Sequence, residues 1–292
     1  MEKVKKRKAS LPQDKSVIIA RNVSRIFLVI WTVLIIFPVL WTFMTSLKTP
    51  GEFMANAWAF PAKPQWSNYI EAWEKADFAK YFSNSLILSA GTVLLTVVMT
   101  STSAYIVGKF VSPVIKSIEV FYSIFMMVPQ MLLLVPLLQF CKKLNMVSGG
   151  QVIFTLMLTN ALQGVPFYVF MLTPFMRGLN NAIFEAAEID GANQFQIFAK
   201  LVLPMIIPAV LMVGLLSFVG IWNEYVMSIT FIKKSQYYTL SVGINSLMND
   251  ANVRYPVRFA ALVLAMVPIL IVYAIFQKPL QDGLSSSDGV KG

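Results

Sequence analysis

Apolar residues in this chain come in long unbroken runs rather than the one-faced or alternating patterns of soluble helices and strands. A helix needs about 20 apolar residues to cross the hydrocarbon core of a bilayer. Six stretches meet that requirement: residues 26–47, 85–107, 118–141, 151–176, 204–232 and 259–276. Basic residues bracket them: Arg25 and Lys48, Lys109, Lys142 and Lys143, Arg177, Lys233 and Lys234, Arg258 and Lys278. Pro38, Pro129, Pro136, Pro166, Pro208 and Pro268 lie inside the runs. They would break soluble helices, but in lipid they are tolerated as kinks because neighbouring helices satisfy the freed carbonyls. The first run is too long for a signal-peptide core and no small-residue cleavage site follows it, so it is expected to stay as a membrane helix.

Composition agrees. The 292 residues are 57% hydrophobic and 13% charged, with a mean hydropathy of +0.67, against about 25% charged in a soluble domain. This excludes a disordered chain or a collagen-like repeat. The net charge of +10 invites a nucleic-acid reading, yet in a membrane protein Lys and Arg more often hold loops in the cytoplasm. Lys3, Lys5, Lys6, Arg7, Lys8, Lys15, Arg21 and Arg25 therefore read as a topology anchor that leaves the N-terminus cytoplasmic. The later loops do not reinforce that orientation. It divides the chain into a basic N-terminus (1–25), a six-helix membrane domain (26–277) and a cytoplasmic tail (278–292). It also makes 48–84, 142–150 and 233–258 external. Trp58, Trp66 and Trp73 in the first external loop suit either a membrane interface or a docking partner. Histidine is absent and Cys141 is the single cysteine, which excludes imidazole catalysis, an internal disulfide and a cysteine metal cluster.

One cytoplasmic loop, 177–203, carries helix punctuation of its own. Asn181 is a plausible N-cap, with Glu185 and Glu188 near the positive end of the following helix. Gly191 can take the left-handed conformation that ends it, and Asn193 can cap a second helix through Val202, with Pro204 opening the fifth span. Ile183, Phe184, Ala187, Phe195, Phe198 and Ala199 leave apolar surface that the loop cannot bury alone. The first helix is expected to dock outward and the second to pack inward.

Glu185-Ala186-Ala187, Asp190-Gly191-Ala192, Pro204 and Pro208 together resemble the EAA loop of ABC importer permeases. Phe53, Asn68-Tyr69, Asn84-Ser85-Leu86, Ala104-Tyr105, Trp222-Asn223-Glu224 and the ending Gly289-Val290-Lys291-Gly292 are similar to the carbohydrate-uptake branch. The chain looks like the smaller of the two permeases of the maltose-transporter type. The resemblance implies an all-α type I importer permease fold in a bacterial-type inner membrane, with both termini cytoplasmic. It implies a heterodimer with a second permease, two ATPase subunits that bind ATP and Mg, and an extracytoplasmic solute-binding protein. The chain itself would hold no cofactor, perform no covalent chemistry and bind no nucleic acid. Glu185, Ala186, Ala187, Glu188, Asp190, Gly191 and Ala192 would form the coupling helix and its turn, seated in the ATPase. The C-terminal tail would reach toward the ATPase and be ordered only there.

Other residues carry weaker readings. Glu224, with Trp222 and Asn223, is expected in the outer half of the fifth span, where a costly carboxylate would line the solute pathway or hydrogen-bond a sister subunit. The run Thr100-Ser101-Thr102-Ser103-Ala104, and Gly214 and Gly220, permit close helix packing. Gly108-Lys109 is followed by Phe110, so no Walker A loop is present. An ion-coupled secondary transporter is disfavoured because Glu224 is the lone intramembrane acid and the EAA loop does not repeat. A permease for a non-sugar solute remains open.

Overall fold

The computed structural model describes residues 15–288, and all regular structure there is helical. Lys3, Lys5, Lys6, Arg7, Lys8 and residues 289–292 lie outside the described residues. In chain order the helices are α1 (Lys15–Ser46), α2 (Pro50–Ala55), α3 (Ser67–Lys75), α4 (Phe78–Lys109), α5 (Pro113–Met127), α6 (Gln130–Lys143) and α7 (Gln151–Arg177). There follow α8 (Asn181–Ile189), α9 (Gln194–Ile197), α10 (Leu203–Met205), α11 (Ile207–Trp222), α12 (Val226–Phe231), α13 (Leu240–Asn249) and α14 (Tyr255–Asp288).

Four segments are long and apolar enough to cross a membrane as single helices: Arg21–Ser46, Phe78–Lys109, Gln151–Arg177 and Tyr255–Lys278. The other two expected spans are broken. The third splits into α5 and α6, which meet at 101°. Pro129 follows Val128 and drives it to an extended conformation (φ −77°, ψ 121°), as a residue before proline favours. The fifth begins after a 78° bend between Gln194–Met205 and Ile207–Trp222. Pro208 lacks the N–H that would bond back to the carbonyl of Pro204, and a π-helical turn at Phe198–Val202 precedes it; both are recognised causes of kinks. The span then ends at Trp222, not at 232, and α12 is a separate short helix. The last helix continues past Lys278 to Asp288, because extending a formed helix is far easier than nucleating one.

The centre is the pair α4 and α7. Ser85, Leu88, Ser89, Thr92, Thr96, Thr100 and Ala104 recur at three- and four-residue spacing on α4, and all are buried. Small residues let the backbones approach: a β-carbon on Gly108 would come within 2.6 Å of the Met176 side chain. The expected packing role of Thr100–Ala104 therefore belongs to a stripe starting at Ser85. A β-carbon on Gly214 would meet Val93 and Val97 at 3.8 Å, an ordinary contact, whereas one on Gly220 would meet nothing within 4 Å, so Gly220 serves no close approach here.

α4 also joins the two ends of the molecule. It starts beside α3 and α13, where Ala72, Phe78, Tyr81, Leu240, Leu247 and Val257 form one buried cluster, and it ends beside α8. Polar side chains pin the first end: Asn68 donates to the carbonyls of Ser46 and Lys48 (2.8 and 2.9 Å). Asn84 donates to those of Gln236 and Tyr238, and Ser85 accepts from the Leu240 amide at 2.7 Å. α1 is different. From Ile26 to Leu40 its large apolar side chains are 44–63% exposed, and only its last turns pack on α14.

Candidate functional site

The loop after α7 is built by side-chain caps. Asn180, one residue earlier than expected, is the N-cap of α8 and accepts from the Ala182 amide at 3.0 Å. Asn181 is instead the first helical residue, and its side chain accepts from Lys109 at 3.0 Å. Gly191 lies at φ +80°, a conformation that costs glycine little. The Ala192 amide closes the helix end on the carbonyl of Ala187 at 3.0 Å. Asn193 then caps α9 in a reciprocal box with Gln196.

Two side chains at the end of α4 tie this loop down. Lys109 donates to the Leu179 carbonyl at 2.8 Å and sits 4.3 Å from the Phe184 ring centroid. Tyr105 donates to Gln194 at 2.8 Å, and the Gln194 amide donates onward to Glu188 at 2.7 Å. Neither Lys109 nor Tyr105 stood out as a loop anchor in the sequence, since their partners are 70 and 89 residues away. Phe184, Ala187 and Ala192 pack against a buried cluster that includes Tyr105, Met176, Ile197 and Val202.

The opposite face of α8 is open. Ile183, Glu185, Ala186, Ile189 and Asp190 are exposed, Ile189 at 86%. Glu185 and Asp190 thus point outward, while Glu188 is engaged within the loop. The second arm was expected to pack inward: Ile197 and Val202 are buried and Phe198 and Ala199 half-buried, but Phe195 is 76% exposed, because the capping box leaves it on the outer side of α9.

The second candidate lies at the other end, where α11 stops. Trp222 is 4% exposed, stacked on Phe218 and edge-on to Phe82, and donates to the Ala265 carbonyl at 3.1 Å. Asn223 is exposed and bonds back to the Val219 carbonyl. Glu224 is not inside a continuous span. It sits in the break before α12, and its carboxylate accepts the amides of Met227 and Ser228 and the Ser228 hydroxyl. Helix starts leave such amides free, so the carboxylate acts as a cap. Ser241 donates to the Glu224 carbonyl at 2.6 Å. Trp222, Asn223, Ser241, Ile244, Leu262 and Met266 help line a half-open cleft of about 220 Å³.

The chain is similar to known proteins along nearly its whole length. The family described as "Binding-protein-dependent transport system inner membrane component" matches residues 101–286. The diacetylchitobiose uptake system permease protein of Streptomyces coelicolor is 31% identical over 90% of this chain and 87% of its own. The melibiose/raffinose/stachyose import permease protein of Bacillus subtilis is 31% identical over 85% and 88%. The fold matches the crystal structure of a bacterial ABC transporter involved in the import of the acidic polysaccharide alginate. The TM-score is 0.80 at 19% identity, covering 92% of this chain and 99% of that one. A structure of bacterial alginate ABC transporter in complex with alginate pentasaccharide-bound periplasmic protein matches with a TM-score of 0.67 at 15% identity, covering 88% and 94%. With six apolar segments, a capped loop exposing Glu185 beside Ala186, and this family match, the chain belongs to the inner-membrane components of binding-protein-dependent transport systems, the permease subunits of ABC importers.

Proposed function

We propose that this permease imports a carbohydrate, as the smaller of two permeases paired across the translocation pathway. A solute-binding protein delivers the sugar from outside, and two ATPase subunits carry ATP and Mg on the cytoplasmic side. Both termini and the loop 177–203 are cytoplasmic in this reading. Glu185 to Ala192 couples: the exposed face of α8 seats in the ATPase, and its anchored face moves α4 and α7 as one body. Alternating access by rigid-body motion needs such a seat.

The observation that carries this is the two-faced α8, with Ile183, Glu185, Ala186 and Ile189 exposed and Phe184 and Ala187 packed on the membrane helices. The sugar assignment is supported by the relatives named for diacetylchitobiose and for melibiose, raffinose and stachyose uptake. Asn223 and the cleft beside it are the candidate pathway surface, with Trp222 and Glu224 holding its shape.

The test is reconstitution of the chain with its sister permease and ATPase, with labelled oligosaccharide and the binding protein outside. Uptake that requires ATP and falls on substitution of Glu185 or Gly191 is expected. Uptake that persists without ATP, or ignores both substitutions, overturns the coupling role.

A further inference from the structure

After α1 the chain does not simply leave the helix end. It turns back along the helix side. Trp58 stacks against Phe37 (6.1 Å between centroids) and tilts against Trp41 (5.4 Å). Trp41 in turn donates to the Ala57 carbonyl at 3.2 Å. The chain rejoins the helix end at Gln65, whose amide bonds the Leu47 carbonyl at 2.9 Å.

Depth follows from the helix rise. Trp41 and Phe37 lie five and nine residues before Ser46, about 8 and 14 Å down the axis at 1.5 Å per residue. Ile26 to Leu47 is about 33 Å long on the same rise, against a hydrocarbon core of about 30 Å. The level of Trp41 is therefore inside the core, and the segment around Trp58 lies there with it. That segment is not covered by the rest of the chain: Met54, Trp58 and Phe60 are 75%, 67% and 86% exposed. They continue the exposed apolar face of α1, where Leu40 is 59% and Phe43 41% exposed.

Irregular backbone at that depth demands internal partners, and the structure supplies them. Lys48 is fully buried (0% exposed) and its ammonium donates to the carbonyls of Asn56 and Ala57 at 3.2 and 2.7 Å. The Asn56 side chain accepts from the amides of Trp58 and Ala59, and Glu52 accepts from the Ala62 amide at 2.9 Å. Pro61 and Pro64 bring no N–H at all. A water-exposed loop has no need of a buried lysine to satisfy its carbonyls.

We propose that residues 54–60 form a preformed wedge inserted among the lipid chains of the leaflet at this end of the permease, with Lys48 as its internal latch and Met54, Trp58 and Phe60 as its lipid-facing surface. The choice of the outer leaflet rests on the orientation proposed above; the depth does not. The wedge anchors the end of α1, a helix with little packing of its own, while α14 moves beside it.

The full chain, assembled with its co-expressed transporter subunits in phospholipid nanodiscs, tests this. Cys141 is replaced by alanine, and spin labels are placed by Met54→Cys and Phe60→Cys, with exposed Glu74→Cys on α3 as the aqueous reference. Relaxation by oxygen should be stronger at 54 and 60 than at 74, and relaxation by a water-soluble nickel chelate several-fold weaker. Nickel accessibility equal to that at 74 overturns the wedge. Loss of both accessibilities also overturns it, because a protein partner then covers the surface. In assembled complexes carrying Lys48→Met the label at 60 should shift toward nickel; an unchanged label overturns the latch. Lys63→Cys, reacted on intact cells with a membrane-impermeant thiol reagent, reports orientation separately. Labelling only from the cytoplasmic side overturns the orientation and leaves the depth result standing.

Discussion

Glu224 and Ser228 are joined twice: one carboxylate oxygen accepts both the backbone amide of Ser228, at 2.9 Å, and its hydroxyl, at 2.7 Å. Ser228 is fully buried, so the contact fixes where α12 begins. Glu224→Ala should lower stability by about 1–2 kcal/mol, the upper range for loss of an N-cap. Glu224→Gln keeps one acceptor oxygen and should cost less. Thermal unfolding of the permease in nanodiscs reads both. A Gln variant of unchanged stability whose uptake nevertheless collapses would show that the charge acts on the solute rather than on the helix.

The Glu185 side chain makes no hydrogen bond or ion pair among the described residues and is exposed. Glu185→Ala should leave unfolding within about 0.5 kcal/mol of the parent while ATP-driven uptake falls. Gly191→Ala should behave differently: the site is open but φ is +80°, and a side chain there costs about 1–2 kcal/mol. A Glu185 variant that unfolds early would mean that the residue supports the loop rather than a partner.

Two glycines separate soft from hard packing. A β-carbon on Gly91 would meet the sulfur of Met157 at 2.5 Å, the flexible part of a side chain that adapts to its surroundings. One on Gly243 would collide with the ring of Tyr81, which is itself buried where α4 meets α13. Gly91→Ala should be nearly neutral, whereas Gly243→Ala should cost about 1–3 kcal/mol, as overpacking does. Partial recovery by Tyr81→Leu in the Gly243→Ala background checks the cause.

Glu52 gives the loop after α1 a defined acid response. The backbone amide of Thr49, then that of Ala62 and the hydroxyl of Thr49, hold its carboxyl below the ordinary 4.5. A carboxylate depressed in the fold contributes stability that is complete above the ordinary value and is lost as pH falls through it to the lower folded value. Hydrogen exchange at the Ala62 amide, corrected for intrinsic rate, should therefore accelerate as pH drops below about 4.5. Glu52→Ala should be fast at every pH, and the same pH profile in that variant would assign the response elsewhere.

The pattern of long apolar runs was enough to identify a helical membrane protein, because crossing hydrocarbon imposes a length and a composition that few other folds need. The caps were legible for the same reason of locality. Asn193 and Gly191 act on groups within a few residues, and both sit where the chain chemistry puts them. Asn180 and Asn181 show the limit. Asn181 reads as the cap from sequence, yet Asn180 holds that place and Lys109, from another helix, takes the Asn181 side chain.

Breaks were harder to read than spans. Pro129 and Pro208 break the third and fifth runs sharply, yet Pro38 and Pro166 sit within helices α1 and α7 that cross as single segments. A proline removes one hydrogen bond everywhere, but packing against neighbours decides whether the helix bends or absorbs the loss. Glu224 follows the same logic. Its position along the chain suggested an intramembrane carboxylate that lines a pathway or bonds a sister subunit, and it is the ending of α11 at Trp222 that gives it the amides of α12 to cap.

By itself, then, the order of residues determined what depends on local chemistry and on the bilayer: apolar length, the cap at Asn193, the left-handed turn at Gly191 and the absence of histidine. Tertiary structure alone decided which face of α8 is free, that Lys109 and Tyr105 hold its other face, and that Lys48 is buried beneath a loop folded back along α1. Those contacts join residues far apart in sequence, and their energies depend on distances that no local pattern encodes.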